Sequence, residues 1–488
     1  MAQSTTLTSA GDYNLSQVEL ISYRIHGDEK KPYRIDLKPI TLAIELTEDL
    51  FQQTMVGTVT VYDTQDIRTV LPITGLEKLN LKFNTPGLTG VNAVEEEGHP
   101  FQVYKIDQVR TDPQNPRGQV YRIFFTSQEA YFDSISRVSR AYEGTIEDMV
   151  ENLLREKRYL NSKKPFVFEP TRSNTKYVVP NLRPFEVITK LCKKARPQKY
   201  NSLGYFFYET PKGFFFRSLE SMFAVAGVKA RPVLYKYNYQ VSSVRSGETR
   251  DVQADMRNVI KYNFKKPVNT LFNMREGMYA NQKTTYDPFY KTITETGFDY
   301  AKSFGDFFHT EHDGDGNKTT DKTTLPFSMF EDTMKDLSQH LLSKLYVSVE
   351  SSKLFDNIED TNLRGDFQTL MSQMLQMTQI RLDLMVNGNS LLQAGDMITF
   401  DIPLMRPLGD DKQEMSPYYS GRYLITAIKH TISLKDGQYH MILKCMKDAE
   451  RNRFPVETET YEINKPEKSL NSLYDLDNTI LNDETLNT

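Results

Sequence analysis

The segment from Gly421 to Ala449 (GRYLITAIKHTISLKDGQYHMILKCMKDA) constrains the fold more than any other part of the chain. It alternates apolar and polar residues with a period of two on both sides of Asp436-Gly437, a dipeptide that tolerates the positive φ of a two-residue hairpin turn. A turn there sets Leu434 opposite Tyr439, Ile432 opposite Met441, His430 opposite Leu443 and Ile428 opposite Cys445. One face is then almost wholly apolar. Lys435, Ser433, Thr431 and Lys429, with Gln438 and His440 on the return strand, line the other. Such a hairpin has one buried and one wet side, and it offers packing rather than convergent reactive groups.

The same grammar recurs elsewhere. Leu382 to Pro403 runs as short apolar stretches punctuated by Asn387-Gly388-Asn389 and Gly395-Asp396, the pattern of short barrel strands. Near the N-terminus, Met55 to Asp63 alternates Val59 and Val61 against Thr58, Thr60 and Tyr62. Further strands are predicted at Leu79 to Phe83, Phe101 to Val109 and Val120 to Phe125, around an acidic Glu95-Glu96-Glu97 loop and a turn-rich stretch at 112–118. No residue-level repeat links the two regions.

Helical patterning enters between 129 and 225. Thr145 is an N-cap, with Ile146, Met149, Val150, Leu153 and Leu154 on one stripe. A second helix starts at Pro184 and buries Phe185, Ile188, Leu191 and Cys192. Tyr205 to Tyr208 and Phe214 to Phe216 form a hairpin around residues 209–213. Strands return over 226–265. Residues 266–377 read as an excursion with a solvated Thr- and Asp-rich loop at 309–324 and helical stripes Met334-Leu337-Leu341-Leu345 and Leu370-Met371-Met374-Leu375. Beyond Arg453 the chain is acidic and too polar to build a core. Leu470, Leu473, Leu476, Ile480 and Leu481 form an apolar stripe there, which a partner would have to cover.

Taken in order, Gly388-Asn389, Leu392 to Phe400, Gly421-Arg422-Tyr423, His430 and Lys447-Asp448-Ala449 resemble the closing barrel of the central baseplate hub proteins of contractile-tailed, T-even-like bacteriophages. The strand ending at Tyr62-Asp63 and the following Ile67 resemble the first barrel of that family. The resemblance implies a mainly β fold with α+β insertions: two similar tube-type β-barrels, a peripheral α+β domain and an extended C-terminal tail. The implied divisions are 15–128 for the first barrel, 129–225 for the α+β domain, 226–265 with 378–450 for the second barrel, 266–377 for an insertion in it, and 451–488 for the tail. It further implies a homotrimeric ring of six barrels in the virion tail baseplate, assembled in the host cytoplasm, which adapts a three-fold spike to a six-fold tail tube. The expected partners are a central spike or tail lysozyme protein below, tube initiator proteins above, and baseplate wedge proteins. Genome DNA would pass through the channel without sequence-specific binding. The 266–377 excursion and the tail are longer than the family pattern.

The remaining residues point to no chemistry. The 488-residue length suggests about three or four domains. A net charge of −4 gives no general pull toward nucleic acid or acidic lipid. The first twenty residues lack the basic start and apolar core of a secretory signal, and no uncharged apolar run approaches a membrane span. Cys192 and Cys445 read as buried free thiols. His309, His312 and Asp313 could hold a transition metal only with further ligands that the sequence does not supply. Asp313, Asp315 and Asn317 open like a calcium loop, but Lys318 and Thr324 replace its defining Gly and Glu. The short basic run Lys193, Lys194, Arg196 and Lys199 reads as a solvated helix end, and His430 as a satisfied core histidine. We therefore expect no catalytic, cofactor-binding or metal residues and no enzyme activity. The alternative is a tail-associated peptidoglycan hydrolase whose barrels position a catalytic module; a spike of a bacterial contractile secretion system would instead need a β-helix repeat after Ala449.

Overall fold

The computed structural model describes residues 6–449 apart from 27–30, 72, 96, 114, 116, 173, 203, 226–228, 240–250, 266–268, 313–343, 350–362, 379, 404–414 and 417–418. The chain divides into a unit Met1–Asn452 and a second, Arg453–Thr488, which lies outside the described residues.

The N-terminal strands are β1 (Asn14–His26), β2 (Lys31–Asp36), β3 (Thr41–Asp49), β4 (Val56–Asp63), β5 (Lys78–Asn84), β6 (Val91–Ala93), β7 (Phe101–Thr111) and β8 (Gln119–Ser127). The α+β segment holds β9 (Val138–Gly144), β10 (Phe166–Phe168), β11 (Thr175–Leu182), β12 (Tyr205–Thr210), β13 (Gly213–Ser218), β14 (Ala224–Val225) and β15 (Lys229–Ala230). There follow β16 (Tyr235–Asn238) and β17 (Val259–Lys265), then β18 (Ala280–Asp287), β19 (Thr292–Asp299) and β20 (Leu345–Val349) in the excursion. The chain closes with β21 (Ile380–Asn387), β22 (Met397–Asp401), β23 (Gly421–Ser433) and β24 (Gln438–Lys447).

Two rings of strands emerge, and they share one order. The first runs β1-β5-β7-β8-β4-β3, with β2 beside β1 and β6 beside β5. The Leu37 amide donates to the Val18 carbonyl at 2.8 Å, which brings the turn leading into β3 back against β1. The second runs β16-β22-β23-β24-β21-β17 and is closed by a parallel bridge between Asn238 and Asn258. Numbered by chain position within each ring, both read first, fourth, fifth, sixth, third, second. Pairings among the last five strands are antiparallel in both rings. The leading strand differs, since β1 is antiparallel to β5 whereas β16 is parallel to β22.

The irregularities repeat as well. β3 shifts register against β4 between Thr41 and Ala43, as β17 does against β21 between Val259 and Lys261. β7 shifts against β8 between Val103 and Lys105, as β23 does against β24 between Ile425 and Ala427. A bulge bends its strand and sharpens the local twist, so bulges at matching places give both sheets the same curl. β7 carries one further irregularity, between Asp107 and Arg110. Inward-facing Val59, Val61, Ile123 and Phe125 in the first barrel, and Leu382, Leu384, Leu443 and Cys445 in the second, are fully buried in one continuous core.

The expected hairpin register needs correction. Ser433 faces Gln438 and Ile432 faces Tyr439, so four residues, Leu434 to Gly437, make the loop, and each expected partner is displaced by two. Ser433 Oγ donates to Asp436 Oδ2 at 2.7 Å and accepts from the Asp436 amide at 3.3 Å, which widens the turn before Gly437 takes φ +65°. A shift of two keeps every side chain on its face. The residues expected on the wet side, Lys429, Thr431, Ser433, Lys435, Gln438 and His440, are exposed or half-buried, whereas the base of the hairpin has no wet side. Arg422 to Ala427 are buried throughout, because Leu424 and Met446 pack outward against Tyr208, Phe215 and Met222 of the α+β segment.

In that segment, Thr145 accepts from the Asp148 amide at 3.3 Å and caps helix Ile146–Arg155, whose expected stripe is buried. Helix Pro184–Lys194 likewise buries Phe185, Ile188, Leu191 and Cys192. Strands β12 and β13 pair around Pro211-Lys212. In the excursion, Leu345 was expected on a helix; it begins strand β20, parallel to β18, while Met334, Leu337 and Leu341 lie outside the described residues. Leu370, Met371, Met374 and Leu375 do lie on a helix, Leu363–Met377. The expected solvated loop is also corrected at its start, because His309, Thr310 and Glu311 are buried.

Candidate functional site: the barrel junction and its open counterparts

The two barrels meet edge to edge. β3 pairs antiparallel with β23 from Ala43 opposite Ser433 to Asp49 opposite Ala427, so the sheet continues from one barrel into the other. On the outer face Lys429 Nζ lies 2.8 Å from Glu45 Oε1, a half-exposed ion pair. On the inner face His430 Nε2 is 3.1 Å from Glu48 Oε1 and His430 Nδ1 is 2.7 Å from the Tyr439 hydroxyl. The Ala394 amide completes the set by donating to Glu48 Oε2 at 3.2 Å. Burial pushes the Glu48 carboxyl above its ordinary range, with the contact to His430 pulling it back. Burial also drives the Tyr439 phenol well up, followed by the Glu48 charge. His430 is thus a core histidine with both nitrogens engaged, and its partner comes from the other barrel.

Two buried ionic nodes fasten the insertions to the barrels. Lys164 Nζ sits 2.8 Å from Glu129 Oε2 and 2.6 Å from Glu209 Oε1, and Glu209 Oε2 accepts from the Met55 amide at 2.9 Å and from Ser127 Oγ at 2.5 Å. Burial raises the Glu209 carboxyl. At Glu129 burial acts the same way, but the Lys164 charge together with the hydrogen bonds from Lys164 and Ser162 outweighs it, and the carboxyl is held below its ordinary range. The second node uses Lys447-Asp448. Asp448 accepts from the Thr310 amide at 2.8 Å and Thr310 Oγ1 at 2.6 Å and lies 2.9 Å from His309 Nδ1; Lys447 Nζ is 3.1 Å from Glu311 Oε1. Burial opposes the Asp448 charge, yet His309 and Thr310 together lower its pKa. His309 and Lys447-Asp448 lie far apart in the chain, and only the fold brings them together.

Each barrel also has an edge that no described strand pairs. β7 pairs β5 only at Phe101 and Gln102, and its outer edge is open from Tyr104 to Thr111, with Tyr104 51% and Val109 41% exposed. β17 pairs β21 on one side and is open on the other, with Ile260 47% exposed. By ring position β7 is the counterpart of β23 and β17 the counterpart of β3, so these two open edges, unlike the outer edge of β2, are those that the junction uses in the opposite barrel.

The other sequence candidates disperse. Among the described residues no group of three or more His, Cys, Asp and Glu could hold a metal ion. The second nitrogen of His309 lies 3.0 Å from the Phe304 carbonyl. Cys192 and Cys445 are free and buried, and burial pushes both thiols well up. Lys193, Lys194 and Lys199 are exposed at their helix end, with Arg196 half-buried. Asp313, Asp315, Asn317 and the tail residues Leu470, Leu473, Leu476, Ile480 and Leu481 lie outside the described residues. A cleft of about 430 Å³ lies between Phe168, Tyr200, Arg217 and Arg231, and among its lining residues only Glu169 carries a carboxylate. No described helix is long and apolar enough to cross a membrane.

No family model and no curated protein matches the sequence. Among solved structures, the chain is similar to the tail protein from Neisseria meningitidis MC58, with TM-score 0.47 and 10% identity over 90% of this chain and 97% of that one. It is similar to the 43 kDa tail protein of prophage MuSo2 from Shewanella oneidensis, with TM-score 0.47 and 8% identity over 88% and 98%. A type VI secretion system component of E. coli gives TM-score 0.38 and 12% identity over 86% and 76%.

Proposed function

We propose that this protein is a structural hub subunit of a contractile phage tail baseplate, in which three chains close a ring of six barrels that adapts a three-fold spike to a six-fold tube. The observation that carries the reading is the repeat itself: one chain holds two barrels of the same strand order joined side by side. A subunit with two like modules can present three-fold symmetry to one partner and near six-fold symmetry to another, and a ring needs contacts that close. The residue resemblance at Leu392 to Phe400, Gly421 to Tyr423 and Lys447 to Ala449 supports the same assignment. The barrels take 15–128 and 226–265 with 378–450, and the Leu470 to Leu481 stripe docks a spike, tube or wedge protein. In this reading the role is structural and the location is the virion tail.

Native mass measurement and particle imaging of the full chain test this. A three-chain annulus with a hollow axis is the expected result, and a lone molecule at all concentrations ends the proposal. A zymogram with a clearing zone at native protein levels would favour the hydrolase instead. Truncation after Arg453 should leave the barrels folded while weakening capture of a tail partner; unchanged capture removes the docking role of the tail.

A further inference from the structure

The junction inside one chain specifies how two chains meet. We infer that the open edge of β7 in one copy pairs antiparallel with the open edge of β17 in the next copy, repeating between chains the β23–β3 pairing seen within one. This rests on the ring reading above and adds the surface that makes the ring.

Matched positions in the two barrels carry matched pairings. β23 uses its first residues, Gly421 to Leu424, to pair β22, and then turns Ala427 to Ser433 to β3. β7 does the first half of this, pairing β5 at Phe101 and Gln102, and leaves the second half open. Even the crossing point is duplicated: the Val103 amide donates to the Glu77 carbonyl and the Ile425 amide to the Asp396 carbonyl. On the partner side, β3 and β17 carry the same bulge and the same pairing to the next strand. An edge strand with unpaired amides and carbonyls is a template for another chain, and such edges are ordinarily short, covered or charged. Lys105, Asp107 and Arg110 put charge on one edge and Lys261 and Lys265 on the other, yet Tyr104 and Val109 on the first and Ile260 on the second also leave apolar surface uncovered.

Matched positions also give the register. Asp107 lies two residues past Lys105, the first residue after the β7 bulge, as Lys429 lies two past Ala427. Lys265 lies four past Lys261, as Thr47 lies four past Ala43. Lys429 faces Thr47 in the junction, so Asp107 of one copy faces Lys265 of the next, with opposite charges. Two different edges meet, so the contact is heterologous and propagates around a closed ring.

The test is a disulfide across this pair in the full-length chain. Both side chains are about half exposed, 48% for Asp107 and 56% for Lys265, so the Asp107→Cys and Lys265→Cys chain should fold normally. Facing residues of an antiparallel pair have Cα atoms about 4.5–5.5 Å apart, within disulfide range. Oxidation of the double variant should give covalent species up to three chains, and a mixture of the two single variants should give dimers. An Arg110→Cys and Lys265→Cys chain, with the thiol three residues further along β7 and beyond its second bulge, should cross-link about tenfold less. Dimers from Asp107→Cys alone would overturn the proposal in favour of a symmetric β7–β7 contact. A three-chain particle without the 107–265 cross-link would overturn the pairing and leave the ring reading standing. A chain that stays monomeric overturns both.

Discussion

Val103 and Ile425 hold the same station in the two barrels. Each lies just before a bulge, and each amide reaches an acidic residue at the head of the fourth strand of its ring, Glu77 at 2.8 Å and Asp396 at 2.9 Å. The side chains of those acids fold back on their own loops, Glu77 accepting from the Thr74 and Gly75 amides and Asp396 from the Gln393 amide. A repeat that the residues do not spell out is therefore held by backbone bonds and two carboxylates.

The Glu48–His430 contact should be a large single stabiliser of the barrel junction. His430→Leu leaves Glu48 buried without its partner, and a loss of about 3–5 kcal/mol is expected. Glu48→Leu with His430→Leu should recover most of it, since an apolar pair has no desolvated charge to satisfy. Urea unfolding of the four members of the cycle measures the coupling.

Lys164 is the cation between two buried carboxylates, so Lys164→Met sets Glu129 against Glu209 with nothing between them. The expected loss is again about 3–5 kcal/mol. It should be local to the contact of residues 129–225 with the first barrel. Hydrogen exchange at Met55 and Ser127 should rise while that at β21 and β24 stays unchanged.

Asp448 has a folded pKa below its ordinary value of 3.8, so its contribution is present above that value and is lost as pH falls through the lower folded pKa. Stability should therefore decline on acidification below about pH 4, and Asp448→Asn should flatten part of that decline. Glu129 is also held low and accounts for a further share. Unfolding midpoints taken between neutral and strongly acidic pH check the slope.

Gly75 and Gly395 adopt φ +89° and +87° in the matching loops before β5 and β22. A Cβ at Gly395 would stand 2.4 Å from the Tyr208 hydroxyl, and one at Gly75 would stand 3.1 Å from the Tyr104 carbonyl oxygen. Backbone strain of about 1–3 kcal/mol applies at both. Gly395→Ala should cost more, because Tyr208 is fully buried and has little room to move. Thermal melts of the two variants rank them.

Local chemistry made much of this molecule legible from residues alone. The alternation in Met55 to Asp63 and Gly421 to Ala449, the Thr145 cap and the Pro184 start each fix their element through neighbours close in the chain, and side-chain parity survives even a displaced turn. The hairpin loop length was not legible, because Ser433 competes for Asp436 and widens a turn that Asp-Gly alone would close in two residues. Nor was the burial of His309 to Glu311, whose partners Asp448 and Lys447 lie far away in sequence. Strands β1 and β3 were also missed, because their apolar residues are mixed with charges that the outer face and ion pairs absorb. The residue pattern is enough to specify a chain of short amphipathic strands with helices confined to inserted stretches. That the strands form the same order twice, and that β3 meets β23, emerges only when the chain is folded, because backbone pairing reads edge geometry and not side-chain identity, and so can repeat where residues do not.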